Sequence, residues 1–287
     1  MAQEREIAAR ISSLRELAEI VAAIRAIAAS QMQQSLTSIK SIQSYSELIR
    51  EALFDAARAL PGDRTVASTR GRCGLLLFGT EHGLCGGFNQ PLLRAVQHDL
   101  RARAVKPVLI VVGSRAARLC RENGLSFALA IPMATHYAGV TGTARRVAAE
   151  LYQLFGGGQL AGIEVTFVRD SEGGALKIER QKLLPLELPT GKAGSPQLPP
   201  IINLRPRQLL DGIIAEYLFG ALENAAMQSF FSENLARFRT MEAAHQNIRR
   251  KSAQLTTMAR RMRQEAITSE ILDLITGAEA LSSGRDV

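Results

Sequence analysis

Neither proline nor glycine occurs in residues 1–60, and neither occurs in residues 221–276. All ten prolines lie between Pro61 and Pro206, with nineteen of the 23 glycines. Proline removes an amide donor and clashes with the preceding turn, and glycine adds backbone freedom, so both interrupt helices. A chain punctuated in this way is constrained to three parts: a helical segment over 1–60, a globular middle over 61–206 that includes a proline-rich linker, and a second helical segment over 207–287.

Periodicity gives both helical segments a seam. In the first, Ile7, Ile11, Leu14, Ala18, Val21, Ala28, Met32, Ile39, Ile42, Ile49 and Leu53 follow steps of three and four, interrupted at Arg25, Ser35 and Ser46. About 60 residues at ~1.5 Å each would make a rod of roughly 90 Å, which cannot bury its stripe alone. In the second, Phe231, Leu235, Phe238, His245, Ile248, Leu255, Ala259, Met262 and Ala266 keep the spacing, weakened at Glu242 and Ser252. The stripe then slips by one residue to Ile267, Ile271, Leu274, Ala278 and Leu281, a change that lets a helix continue past its partner. The two ends are therefore expected to pair as an antiparallel coiled coil, with the middle inserted between them.

The middle alternates apolar runs at Cys73–Gly79, Val108–Gly113, Phe127–Pro132 and Ile163–Val168 with helical stretches near Gln90–Ala104, Arg115–Asn123 and Thr143–Phe155. A further strand is expected near Leu176–Leu186, and the tract Pro189–Pro200 returns the chain to the second helix. Alternation of this kind predicts an α/β insertion domain with a mostly parallel, Rossmann-like sheet.

Composition narrows the chemistry. No run approaches eighteen apolar residues, and the charged N-terminal stretch lacks the apolar core of a signal peptide, so a cytoplasmic chain is expected. Three dispersed cysteines and four dispersed histidines offer neither a disulfide framework nor metal spacing, so no metal or cofactor is expected. The net charge of +8 calls for an acidic partner, while 5% aromatics and no tryptophan disfavour base stacking and hence nucleic acid.

The glycine-rich turn after the first strand reads Thr80-Glu81-His82-Gly83-Leu84-Cys85-Gly86-Gly87-Phe88-Asn89. It lacks the lysine and hydroxyl of a Walker loop and the spacing of a dinucleotide fingerprint, so a tight turn packing strand against helix is favoured over a phosphate cradle. No base is placed beside Cys85, and no GxSxG occurs. An anion-using α/β enzyme with helical arms and a nucleic-acid-binding coiled coil are the rival readings, and both lack their defining residues.

This loop resembles the T-x-x-G-L-C-G-G-x-N element of the gamma subunits of F-type ATP synthases. Arg263-Gln264-Glu265-Ala266-Ile267-Thr268-Ser269-Glu270-Ile271 is similar to the family's R-Q-x-x-I-T-x-E-[IL] signature, and Ile275-Thr276-Gly277-Ala278 to its V-x-G-A ending. Asn234-Leu235 with Arg237, Met241, Ala243, Ala244 and Asn247, and Ile27-Ala28-Ala29-Ser30-Gln31-Met32, match at family spacing. The resemblance spans the chain. It implies a non-catalytic rotor shaft in a hexamer of alternating alpha and beta subunits, with the epsilon subunit and the membrane c ring as further partners. The shaft would be peripheral to the membrane through that ring, on the cytoplasmic face of a bacterial inner membrane.

By matching position, Arg237, Gln264, Thr268 and Glu270 would contact the surrounding subunits. The basic runs holding Arg249, Arg250, Arg260 and Arg263 would attract acidic loops of beta. Gly83, Leu84, Cys85, Gly86, Gly87 and Asn89 form the family loop, and Ile267, Ile271 and Leu274 would sit in an apolar sleeve. Gln31 replaces a family lysine, and Ile202-Asn203-Leu204-Arg205-Pro206 replaces a Y-E-P-x-P stretch near the ring. A divergent bacterial paralogue, such as the sodium-pumping N-type, is one explanation of these departures.

Overall fold

A computed structural model describes residues 2–59, 71–171, 175–186 and 204–283. The proline-rich tract over 189–200 and residues 202–203 lie outside the described residues. The segments free of proline and glycine lie within two long helices, α1 (Ala2–Ala59) and α5 (Pro206–Ser283), the second of which also takes in Pro206, Gly212, Gly220 and Gly277. The chain divides into two compact units: residues 1–27 with 238–287, and residues 28–237.

In the first unit the two ends run antiparallel. Arg5 and Ala8 line the same groove as Ala259 and Arg263, Leu14 and Ala18 the same groove as Ile248 and Ser252, and Arg25 reaches Glu242. Ile7 is buried, and Ile11, Leu14, Ala18 and Val21 are at least half-covered; the same holds for Phe238, His245, Ile248, Leu255, Ala259 and Met262. The polar interruptions are part of the seam as well. Arg25 on α1 donates to Glu242 on α5 at 2.5 Å, so the two breaks in the apolar pattern complete one another.

The second unit is built around a five-stranded sheet of order β3-β2-β1-β4-β5. Its strands are β1 (Arg72–Phe78), β2 (Val108–Val112), β3 (Leu129–Ile131), β4 (Leu160–Asp170) and β5 (Leu176–Leu184). The first four are parallel, and β5 pairs antiparallel with β4. The central β1 is buried from Gly74 to Phe78 because both sheet faces are covered, which also explains its near-continuous apolar sequence. Each βαβ crossover is filled by a helix: α2 (Asn89–Ala102), α3 (Ser114–Glu122) and α4 (Val140–Gly156).

The two sheet faces form separate cores. On one, α2 and α3 bury Leu92, Leu93, Val96, Ala116, Ala117 and Cys120 against Leu75, Leu77, Leu109 and Val111. On the other, Val140, Val147 and Leu151 of α4 join Leu53 of α1 and Leu218, Leu222, Ala225, Phe230 and Phe231 of α5 over Leu76, Phe78, Ile110 and Val165. Every member of both cores lies within residues 28–237. Close packing sets Gly79: a Cβ there would stand 2.3 Å from the Ala116 Cβ, so the strand-to-helix approach requires glycine.

Candidate functional site

In a doubly wound sheet a ligand usually binds outside the carboxyl ends of the strands, where the strand order reverses. Here the order reverses between β1 and β4, and the glycine-rich loop leaves the carboxyl end of β1. Backbone amides of such a loop attract an anion. The anion they hold belongs to the chain itself. The amides of Glu81 and His82 donate to the Glu233 carboxylate of α5 at 3.2 and 3.4 Å.

Glu233 is in turn paired with Arg237 one helical turn on, at 2.5 Å, and the Arg237 guanidinium also donates to Asn234 Oδ1 at 3.0 Å and to the Gly83 carbonyl at 3.5 Å. The side chains of Arg237 and Glu233 are 14% and 5% exposed. Burial pushes the Glu233 carboxyl above its usual range, against the pull of Arg237 and the two loop amides. A second acid fills the neighbouring donor site. Glu81 accepts from the Ser114 amide at 2.9 Å, the Ser114 hydroxyl at 2.6 Å and the Met133 amide at 2.8 Å, capping α3. Phosphate-type positions at the ends of β1 and β2 are therefore occupied by carboxylates.

Within the loop, Asn89 is buried: its Oδ1 accepts from the Thr80 amide at 3.2 Å, and its Nδ2 donates to Thr80 Oγ1 at 2.7 Å. Gly86 has φ +57°, and Leu84 adopts φ +64° while 58% exposed, an unusual backbone for an apolar residue. Gly83 and Gly87 are exposed with no close neighbour that a Cβ would strike. The Cys85 thiol is buried and pushed up to about 12 by that burial, so it is no thiolate nucleophile. Among the described residues, no cluster of His, Cys, Asp and Glu could hold a metal ion.

The structure thus brings Arg237 together with the glycine loop and leaves the other candidate residues elsewhere on α5. Arg249, Arg250, Arg260, Arg263, Gln264, Thr268 and Glu270 are all exposed in the first unit. Arg249 and Arg260 share a groove with Arg15, and Arg263 shares one with Arg5 and Arg15, so positive charge from both helices flanks the seam. Arg250 donates to Asn247, and the Thr268 hydroxyl donates to the Gln264 carbonyl at 2.8 Å. Ile267, Ile271 and Leu274 are 50%, 51% and 69% exposed, beyond the last half-covered seam residue, Met262. Glu233 is the residue that sequence reasoning misses. Its signal is a lone acid in the buried run Ala225–Ala236 with an arginine four positions on.

A family model described as ATP synthase matches residues 3–281. The gamma chain of the ATP synthase of Polynucleobacter asymbioticus is 27% identical over 294 residues, covering 98% of this chain and all of that one (100%). The corresponding Synechococcus chain is 29% identical over 242 residues, covering 72% of this chain and 75% of the relative. Among solved structures, a chain of the Euglena gracilis mitochondrial ATP synthase OSCP/F1/c-ring assembly superposes with a TM-score of 0.66 at 16% identity, covering 100% of this chain and 97% of that one. A central stalk/c-ring chain from Tetrahymena thermophila gives 0.56 at 16% identity over 78% of this chain and 99% of its own. No helix among the described residues is long and apolar enough to cross a membrane.

Proposed function

Because this chain belongs to the ATP synthase family, we infer that it works as the family's gamma-type central shaft, turning within an alpha/beta hexamer and coupling ion flow through the c ring to ATP synthesis or hydrolysis. It carries no catalytic group of its own. The observation that bears most weight is the pairing of its two ends, whose seam is covered from Ile7 to Val21 and from Phe238 to Met262. A helix pair of this kind resists bending and twisting better than one helix, as torque transmission demands. The filled anion positions at β1 and β2 support the same reading, since α5 stands where an enzyme of this architecture would admit a nucleotide.

The mechanism is differential contact. An asymmetric shaft meets chemically equal beta subunits with different faces and biases each toward a different conformation, by no more than its unequal affinity for the states it touches. Arg249, Arg250, Arg260 and Arg263 supply long-range attraction, with Gln264, Thr268 and Glu270 exchanging hydrogen bonds as the shaft turns. Unscreened unit charges ~4 Å apart interact by about 4 kcal/mol at an effective dielectric of 20. Exposed pairs deliver roughly 0–1 kcal/mol. The arginines therefore guide and bias, and helix stiffness carries the load. The exposed Ile267, Ile271 and Leu274 fit an apolar sleeve, which holds an axle without specific bonds. Arg237 serves from inside, fixing the glycine loop. The layout 1–60, 61–206 and 207–287 separates shaft from base, the base resting on the c ring beside the epsilon subunit. The chain is then peripheral to a bacterial inner membrane, on its cytoplasmic side.

Single-molecule rotation tests this. With alpha and beta subunits immobilised, a bead on the α/β domain should turn in one direction on ATP, and R249Q/R250Q/R260Q should lower torque more than ATP turnover. Tight stoichiometric binding of ATP or DNA by the isolated chain, without rotation of the assembly, would overturn the reading.

A further inference from the structure

The chain's net positive charge arises in its middle. Residues 1–60 hold seven Lys/Arg and seven Asp/Glu, and residues 207–287 hold ten of each, whereas residues 61–206 hold eighteen against ten. The whole excess of +8 thus lies in the insertion, which the shaft's contacts do not explain. Among the described residues of the insertion, four acids are spent on internal work. Asp99 is paired with Arg180 at 2.5 Å, Glu179 with Arg169 at 2.5 Å, and Glu164 takes both arms of Arg103. Glu81 is consumed by the cap on α3.

Of the outward basic residues, Arg72, Lys106, Arg145, Arg146 and Lys177 are spread over other elements, whereas those of α2 and α3 share one layer, with Arg121 lying 4.9 Å over the Phe127 ring. Arg94, His98 and Arg101 are exposed at positions i, i+4 and i+7, one stripe along α2. On α3, Arg118 and Arg121 are exposed and Arg115 half-covered, again at steps of three. The two helices pack on the same sheet face, with their apolar sides committed to one core, so both stripes face outward together. Asp99 is buried beneath the layer, and the exposed acid of the pair, Glu122, stands 3.9 Å from Arg118. Like charges gathered on one face repel each other, a cost that scattering would avoid.

We propose that the outer face of α2 and α3 is a docking surface for a carboxylate-rich segment of a partner protein. Five of its six basic or imidazole side chains are arginines (Arg94, Arg101, Arg115, Arg118 and Arg121, with His98), and the planar guanidinium fork matches a carboxylate in two hydrogen bonds. The same domain already uses arginine in this way on its own acid at Arg103 with Glu164, while Arg180 gives one arm to Asp99 and the other to the Ala95 carbonyl. A membrane-surface helix would add a large apolar face, and a strand-binding surface would add stacking rings. Neither α2 nor α3 exposes a large apolar or aromatic side chain. The inference stands apart from the rotor assignment, since a shaft that lacks this surface could still turn.

The test uses the full chain at physiological ionic strength, with a fluorescent oligoglutamate peptide, phosphatidylglycerol/phosphatidylcholine vesicles and short duplex DNA as probes. R94Q/R101Q/R118Q should weaken peptide binding about tenfold, the size expected when three exposed ion pairs are lost together. R72Q/R145Q/R146Q, which removes as much charge from elsewhere on the domain, should change it less than about twofold. Thermal melting of both variants verifies that the fold is retained. Equal losses in the two variants would reduce the effect to net charge and overturn the proposal. Preferential binding of wild type to vesicles or DNA would overturn it in favour of a membrane or a nucleic acid.

Discussion

Glu233 stands where three donors converge, and each of its neighbours depends on it. If the carboxylate is deleted, the amides of Glu81 and His82 lose this acceptor, and the Arg237 guanidinium loses its ionic partner while keeping Asn234 Oδ1 and the Gly83 carbonyl. Truncating one member of a buried, hydrogen-bonded pair typically costs several kcal/mol, because the other charge is left uncompensated. Glu233→Ala should therefore lower unfolding free energy by about 2–4 kcal/mol, read from urea denaturation, and Glu233→Gln by less, since an amide oxygen still accepts from one loop N–H. Arg237→Met separates the partners by pH. Burial already pushes the Glu233 carboxyl upward, and without Arg237 it rises further. A raised folded-state value means that the native chain holds its proton longer than the unfolded one. The variant's deficit should thus be small near the ordinary glutamate value of 4.5 and grow as pH rises through the folded value. A deficit independent of pH would show that Arg237 acts through packing alone.

At the scale of elements, the paired ends depend on register as well as on apolar area. Arg25 and Glu242 are partly exposed, at 34% and 35%, so their pairing contributes mostly by excluding other registers. Hydrogen bonding from Arg25 holds the Glu242 carboxyl below its usual range. A depressed folded-state value places the contribution above pH 4.5, with loss as acid titrates the carboxylate. We expect Glu242→Arg to loosen the helix pair, measured by hydrogen exchange of residues 8–27, and the charge swap R25E/E242R to restore it. A swap no better than the single change would argue against the register. Periodicity makes the seam legible in the sequence, because a 3–4 repeat is a local signal. The partnership of Arg25 with Glu242 is not, since nothing near either residue specifies a contact 217 positions away. The same holds for strands and site. Apolar runs mark β1, β2 and β4 within a few residues, but β3 shrinks to Leu129–Ile131, which pair with Ile110–Val112 of β2. Glu233 stays hidden because its donors lie in a loop 151 and 152 residues earlier.

At the scale of the whole molecule, two units with separate duties should fail separately. Both apolar cores are assembled from residues 28–237, and none of their members comes from the last turns of α5. Those turns expose Ile267, Ile271, Leu272, Leu274 and Ile275 within nine residues, each at least half accessible, and Leu17, Ile20 and Ile27 of α1 are exposed as well. Apolar exposure on this scale is costly in water and has a use only where another surface receives it. Deleting residues 267–287 should therefore leave the cooperative melting of the α/β domain unchanged in calorimetry. Assembly with alpha and beta subunits, or the torque delivered once assembled, should fall. The two readouts answer different questions. Loss of the domain's melting transition in the truncated chain would mean that folding of the core requires the tip, and the division of labour between shaft and base would be wrong. Full torque from the truncated chain would instead leave the division intact and move the working contacts downward, to the arginines between Arg249 and Arg263.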